Sequence, residues 1–253
     1  MLAASASVWG VTILAVLAVS AIAFAGIVAL VVQEGLLRRI VPILVSFAVG
    51  ALLGDTLFHL LPVLAEGDGI TVAISWVMAL SILFLYVLEK FIHLHHRLNA
   101  PAHGHLQPVV LANLLGDGVH NFVDGAIVAG SFLVSPSLGI ATTIAVALHE
   151  IPQEIGDLGV LVHAGLAPRR ALVYNVASAT TAILGATIAL LLDGAIGGME
   201  RPLLAISAGA FIYIAGADLI PELHKGTGVR EGILQFVGIS AGFAVMAALL
   251  GLE

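Results

Sequence analysis

Apolar stretches of membrane-crossing length recur along the chain at about 8–33, 40–65, 70–92, 108–133, 138–164, 170–192, 202–224 and 232–252. Short polar breaks, several of them rich in Gly or Pro, separate each stretch from the next. A spanning helix needs roughly 20 apolar residues, so the pattern predicts an all-α integral membrane protein with eight transmembrane helices in a single domain, 1–253. The first stretch has no basic residue ahead of it, and its uncharged run is longer than the apolar core of a signal peptide. It is therefore expected to stay in the mature protein.

Two pairs of segments resemble each other. GALLGDTLFHLLP (50–62) aligns with GAFIYIAGADLIP (209–221), setting His59 opposite Asp218. HNFVDG (120–125) aligns with HEIPQE (149–154), setting His120 opposite His149, Asn121 opposite Glu150 and Asp124 opposite Gln153. The matched helices run in opposite directions across the bilayer. The expectation is a 3+2+3 inverted repeat about an axis in the membrane plane, the arrangement of secondary transporters with a midplane site. His59 and Asp218 then stand as candidates for an entrance and an exit.

Composition sharpens this picture. Hydrophobic residues make up 60% of the chain and charged residues only 10%, against roughly 45–50% and about 25% in a soluble domain, so a water-soluble globule is excluded. With no cysteine, disulfides and thiolate metal sites are excluded too, and histidine is the only strong nitrogen ligand left. With the N-terminus outside, Arg38, Arg39, Lys90, Arg97, Arg169, Arg170, Lys225 and Arg230 face the cytoplasm, and Arg201 alone faces out. The positive-inside rule therefore places both termini outside, in a plasma or inner membrane. The segment 93–107, HLHHRLNAPAHGHLQ, becomes a cytoplasmic loop. Its five histidines, His93, His95, His96, His103 and His105, suit metal capture or sensing.

The remaining polar residues concentrate on two helices. At about 100° per residue, Asn113, Asp117, His120, Asn121 and Asp124 share one face of the fourth helix. His149, Glu150, Gln153, Glu154 and Asp157 share a face of the fifth, with His163 two turns further on. A carboxylate deep in a spanning helix costs about 2.5–3.5 kcal/mol on insertion scales, yet no Lys or Arg lies between Arg97 and Arg169. Protons or bound cations must compensate. Imidazole nitrogen with carboxylate oxygen is the ligand set of Zn²⁺, Fe²⁺ or Mn²⁺. The i,i+4 spacing lets one ion touch His120 and Asp124 from one helix and His149 and Gln153 from the other. Pro152 predicts a kink that frees the carbonyl of Leu148.

At these residues the sequence resembles the ZIP (Zrt/Irt-like) family of divalent metal transporters, in particular the subfamily whose motifs read HNFxDG and HEIPHEVGD. The resemblance implies an eight-helix fold and a two-metal site on the fourth and fifth helices that carries metal into the cytoplasm. His120, Asn121, Asp124, His149 and Glu150 keep the family's ligand types, and Glu154, counted with Gln153 among the metal residues, and Asp157 are retained. Gln153 stands where that subfamily has a second His. The large extracellular domain of many animal relatives is absent, which suggests a compact prokaryotic-type transporter.

The expected cargo is Zn²⁺, with Fe²⁺, Mn²⁺ or Cd²⁺ as alternatives, held by His120, Asp124, His149, Glu150 and Gln153. It would leave past Asp117, Asp157 and His163. Expected partners are metal ions and the lipid bilayer, with a homodimer as an open alternative and no nucleic acid. Two other readings remain at this point. One is a proton-coupled transporter or channel for another cation, built on the same carboxylates. The other is an intramembrane metalloprotease, because His149-Glu150 begins an HExxH motif, although its last position is Gln153.

Overall fold

The computed structural model describes residues 5–98, 107–225 and 228–252, and those residues are entirely helical apart from turns. They form eight rods. α1 is Ala6–Val31, with a 3-10 stretch at Ala21–Gly26. α2 runs Glu34–Asp55, through a π turn at Thr56–Leu60, into Leu61–Ala65. α3 is Val72–Leu98, α4 Gln107–Val134 and α5 Pro136–His163. α6 joins Pro168–Ala179 to Thr181–Ile196. α7 runs Glu200–Tyr213, through a π turn at Ile214–Leu219, into Ile220–Leu223, and α8 is Val229–Leu249.

Six of these rods are long and apolar enough to cross a membrane: α1, α2, α3, α6, α7 and α8. α4 and α5 are 28 residues each and carry the two polar stripes. The start of α5 is set locally, because Ser135 accepts a hydrogen bond from the amide of Leu138 at 3.2 Å and Pro136 occupies the first turn. α5 continues as helix through Pro152.

One boundary differs from expectation. α3 extends to Leu98, so the backbone of 93–98 is helical rather than loop. No breaker precedes Pro101, and a proline disfavours helix only in the residue before it. The side chains of His93, His95 and His96, and all of His103 and His105, lie outside the described residues.

Glycines show which rods interlock. A Cβ placed on Gly125 of α4 would lie 1.8 Å from the carbonyl oxygen of Ala182, and one on Gly185 of α6 would lie 1.8 Å from that of Phe122. Gly50 of α2 and Ile239 of α8 approach equally closely (2.1 Å), as do Gly209 of α7 and Met78 of α3 (2.5 Å). A Cβ on Gly26 of α1 would meet the carbonyl oxygen of Glu154 at 2.9 Å. Small residues let membrane helices pack backbone to backbone. These contacts pair α4 with α6, α1 with α5, α2 with α8 and α3 with α7, and the packing of α4 on α5 and of α2 on α7 gathers the pairs into two sets, α1/α4/α5/α6 and α2/α3/α7/α8. Between the sets the corresponding contact is with a side chain, Gly130 against Leu203.

Both π turns precede a proline, Pro62 and Pro221. Each is closed by an i→i−5 bond, Leu61 N–H to Thr56 O and Ile220 N–H to Ala215 O. A π turn adds one residue to the helical ladder and is frequent at functional sites. Here the two turns carry His59 and Asp218.

Arg201, at the start of α7, donates to the carbonyls of Leu64 (2.9 Å), Gly69 (2.8 Å) and Glu66 (3.1 Å). One guanidinium thus ties the end of α2 and its following turn to α7. Arg201→Ala is expected to lower the melting temperature in detergent, through a loss of about 1–3 kcal/mol for bonds to a charged donor. Arg201→Lys should recover only part of it, since an ammonium does not reproduce the planar fork.

Candidate metal centre

α4 and α5 lie side by side and turn their polar faces toward each other. One ligand atom each from His120, Asp124, His149 and Glu150 falls within 4.8 Å of all the others. Asp124, His149 and Glu150 are buried, and the His120 side chain is 16% exposed. The Nε2 atoms of His120 and His149 are 3.1 Å apart. His149 Nε2 lies 3.0 Å from Asp124 Oδ2 and 3.7 Å from Glu150 Oε1. His120 Nε2 lies 3.6 Å from Asp124 Oδ2 and 3.8 Å from Glu150 Oε1. Four ligands at about 2.0–2.1 Å from a tetrahedral ion sit about 3.3 Å from one another. The five separations straddle that edge length.

Hydrogen bonding points the same way. His149 Nδ1 lies 3.3 Å from the carbonyl oxygen of Ala145. A carbonyl only accepts, so Nδ1 carries the hydrogen and Nε2 presents its lone pair to the cluster. Both oxygens of Asp124 and both of Glu150 are buried without a hydrogen bond of good geometry. Buried carboxylates in native proteins are normally satisfied. These four side chains could hold a divalent cation, which would supply what they lack.

The other predicted residues are placed differently. Asn121 is fully buried, and its amide donates to Asp117 Oδ1 at 2.8 Å. Its own oxygen is buried without a partner. Gln153 hydrogen-bonds Asp117 and lines a cavity rather than joining the four-atom cluster. Glu154, expected among the ligands, stands outside that cluster and accepts a hydrogen bond from Asn175 of α6. A shared face does not mean a shared neighbour: Glu154 points back into its own helix set, toward α6, and its backbone carbonyl meets α1. Asp157 accepts from Asn113 at 2.8 Å. His163 ends α5 and is exposed.

The cavity, about 760 Å³, lies between the two helix sets. His120, Asp117, Asn113, Gln153 and Asp157 line one wall, and Glu89, Tyr213, Asp218 and Glu222 line the other. Asp218 therefore shares a space with the centre. His59 does not line it, and lies buried with Nδ1 3.4 Å from Asp55 Oδ1.

Sequence reasoning missed Asn175 and Ser178 of α6, Asp55 of α2, and Glu89 with Tyr213. Ser178 donates to Asp117 and Tyr213 to Glu89. The spacing of Asn175 and Ser178, three apart on one helix face, was the available signal.

Fold and site together define a polytopic helical membrane protein with a buried two-imidazole, two-carboxylate ligand cluster at the contact of its two most polar helices. The chain belongs to the ZIP family: the family described as ZIP Zinc transporter matches residues 99–250. Human "Zinc transporter ZIP10" is 36% identical over 181 residues, covering 63% of this chain and 22% of the relative. Human "Zinc transporter ZIP4" is 42% identical over 138 residues, covering 53% and 21%. "Zinc transporter ZIP13" of Pongo abelii is 33% identical over 218 residues, covering 80% and 65%. The chain thus spans about a fifth of the length of the two human relatives. Membership sets the chain among transporters rather than enzymes, and the metalloprotease reading is dropped.

Proposed function

We propose that the protein carries divalent transition-metal ions, zinc foremost, across a membrane into the cytoplasm. The observation that carries this reading is the convergence of four ligand atoms, each within 4.8 Å of the others, with the Nε2 atoms of two imidazoles 3.1 Å apart and both carboxylates buried without a hydrogen bond of good geometry. The names of the relatives, all zinc transporters, agree with it. His120, Asp124, His149 and Glu150 hold the ion. Asn121, with its unpaired amide oxygen, and Gln153 serve a neighbouring position, and a second ion there makes the centre binuclear. Glu154 acts from behind, through Asn175.

The proposed topology is eight spans with both termini outside, related as a 3+2+3 inverted repeat. The π turns support the repeat, because Thr56–Leu61 and Ala215–Ile220, whose bonds close them, occupy equivalent positions of the aligned segments. The cavity runs from His120 to Glu222, next to Lys225 and hence on the basic, cytoplasmic side. Metal leaving the centre meets Asp117, Asp157 and Asp218 in turn. Access alternates when one helix set moves against the other, as in other inverted-repeat transporters. Fe²⁺, Mn²⁺ and Cd²⁺ are the further candidate cargoes.

The test is uptake of a metal panel into proteoliposomes, with and without a pH gradient. Zinc uptake is expected to saturate, and His120→Ala is expected to abolish it; wild-type rates in that variant would remove His120 from the pathway. Uptake at about pH 5.5 should be several-fold slower than at about pH 7.5, because imidazoles must be neutral and carboxylates ionised to bind metal. A rate that rises on acidification on the metal-donating side would instead indicate proton coupling.

A further inference from the structure

Two turns above the metal centre on α5, Thr142 occupies the same helix face as His149, about 10.5 Å away along the axis. Its hydroxyl donates to Asp55 Oδ2 of α2 at 3.1 Å. His59, on the π turn that follows, places Nδ1 3.4 Å from Asp55 Oδ1. Thr142 and Asp55 are fully buried and His59 is 1% exposed. The hydrogen bond joins α5 to α2, and so one helix set to the other. Just below it, fully buried Phe211 of α7 meets the edge of His149 with ring centroids 6.4 Å apart. On the opposite side of the centre lies the cavity that His120 lines.

The centre is therefore open toward the cavity and shut toward Asp55. We propose that the Thr142–Asp55 hydrogen bond, backed by His59, is the closing contact that seals the metal centre from the side away from the cavity, and that it breaks each time that side opens. The inference rests on the alternating-access reading above. Thr142 is suited to this role because its one hydroxyl makes one bond across the seam. When the sets part, water replaces the hydroxyl at Asp55, so the contact opens at the modest net cost of one exchanged hydrogen bond. An apolar residue there would leave the buried carboxylate without that donor in the closed form.

The absence of cysteine makes the test direct. Ala145, fully buried and one turn below Thr142 on α5, is replaced by a single cysteine. It is then labelled in liposomes by a membrane-impermeant thiol reagent applied from the side away from the cavity. In the Ala145→Cys background, Thr142→Val is expected to label about 2- to 10-fold faster, the population change carried by one hydrogen bond of ordinary net strength. Thr142→Ser, which restores the hydroxyl, should return the slow rate. Asp55→Ala should speed labelling like Thr142→Val, and the two together should add nothing further, since both remove the same bond.

Unchanged labelling in Thr142→Val and Asp55→Ala, or additive effects of the pair, would overturn the closing contact. Zinc uptake is measured on the same preparations. Faster labelling in variants of a protein that moves no zinc upholds the closing contact and overturns the transport reading instead.

Discussion

Zinc uptake by Glu150→Gln is expected to fall at least about 100-fold while the metal-free protein becomes more resistant to heat. The two effects share one cause. Glu150 is fully buried, neither of its oxygens makes a hydrogen bond of good geometry, and the two histidine Nε2 atoms stand 3.7 and 3.8 Å from Oε1. Ionising a carboxyl in that state, which metal binding demands, costs several kcal/mol when nothing compensates it. Glutamine keeps the shape and cannot ionise, so the empty site is spared that cost, but one of the four proposed ligands becomes a weak neutral amide. Loss of a group that merely orients a metal ligand already costs about 10–100-fold in affinity or activity, and loss of the ligand itself should cost more. Melting curves with and without zinc separate the two effects. Zinc should raise the midpoint of the wild type by mass action and leave that of the variant nearly unchanged. Wild-type uptake in Glu150→Gln, or a variant that melts lower without metal, would remove Glu150 from the centre.

Gly185→Ala and Gly125→Ala are expected to deplete folded protein. Each adds a methyl carbon within 1.8 Å of a carbonyl oxygen on the facing helix. No rotamer relieves this clash, because the obstacle is backbone and the added atom is Cβ. α4 and α6 would have to separate along their length. Overpacking inside a membrane bundle costs about 1–3 kcal/mol where side chains can give way, and more where they cannot. Both variants should show low yield and early aggregation on size exclusion, with α4 and its His120 and Asp124 displaced in whatever folds. Gly232→Ala on α8 is the control, since nothing lies within 4 Å of the added carbon. Equal yield from all three would show that the α4–α6 contact is looser than described.

How far the sequence speaks can be judged from these same residues. Helical rods follow from long apolar runs between breakers, and a 3.6-residue period fixes which side chains share a face. His120, Asp124, His149 and Glu150 were legible because two helices each carry a dense polar stripe. Asp55, Asn175 and Ser178 were not, because each is sparse polarity on an apolar helix, and its importance comes from a partner far along the chain. Periodicity put Glu154 on the same face as His149 and Glu150, since it assigns a face but cannot say which neighbour that face meets. The π turns left only Pro62 and Pro221 as traces. A proline shows where a ladder must adjust, not that it will take in an extra residue.

The glycine contacts divide the protein into joints of two kinds. Where backbone lies on backbone, α4 with α6 and α2 with α8, neither partner can slide without lifting a whole rod, and the joint is a weld. Where the Leu203 side chain packs on Gly130 and Thr142 bonds Asp55, the contact runs through side chains rather than from backbone to backbone, and the joint is a bearing. Substitutions at the welds should change how much protein folds, and substitutions at the bearing how fast it turns over.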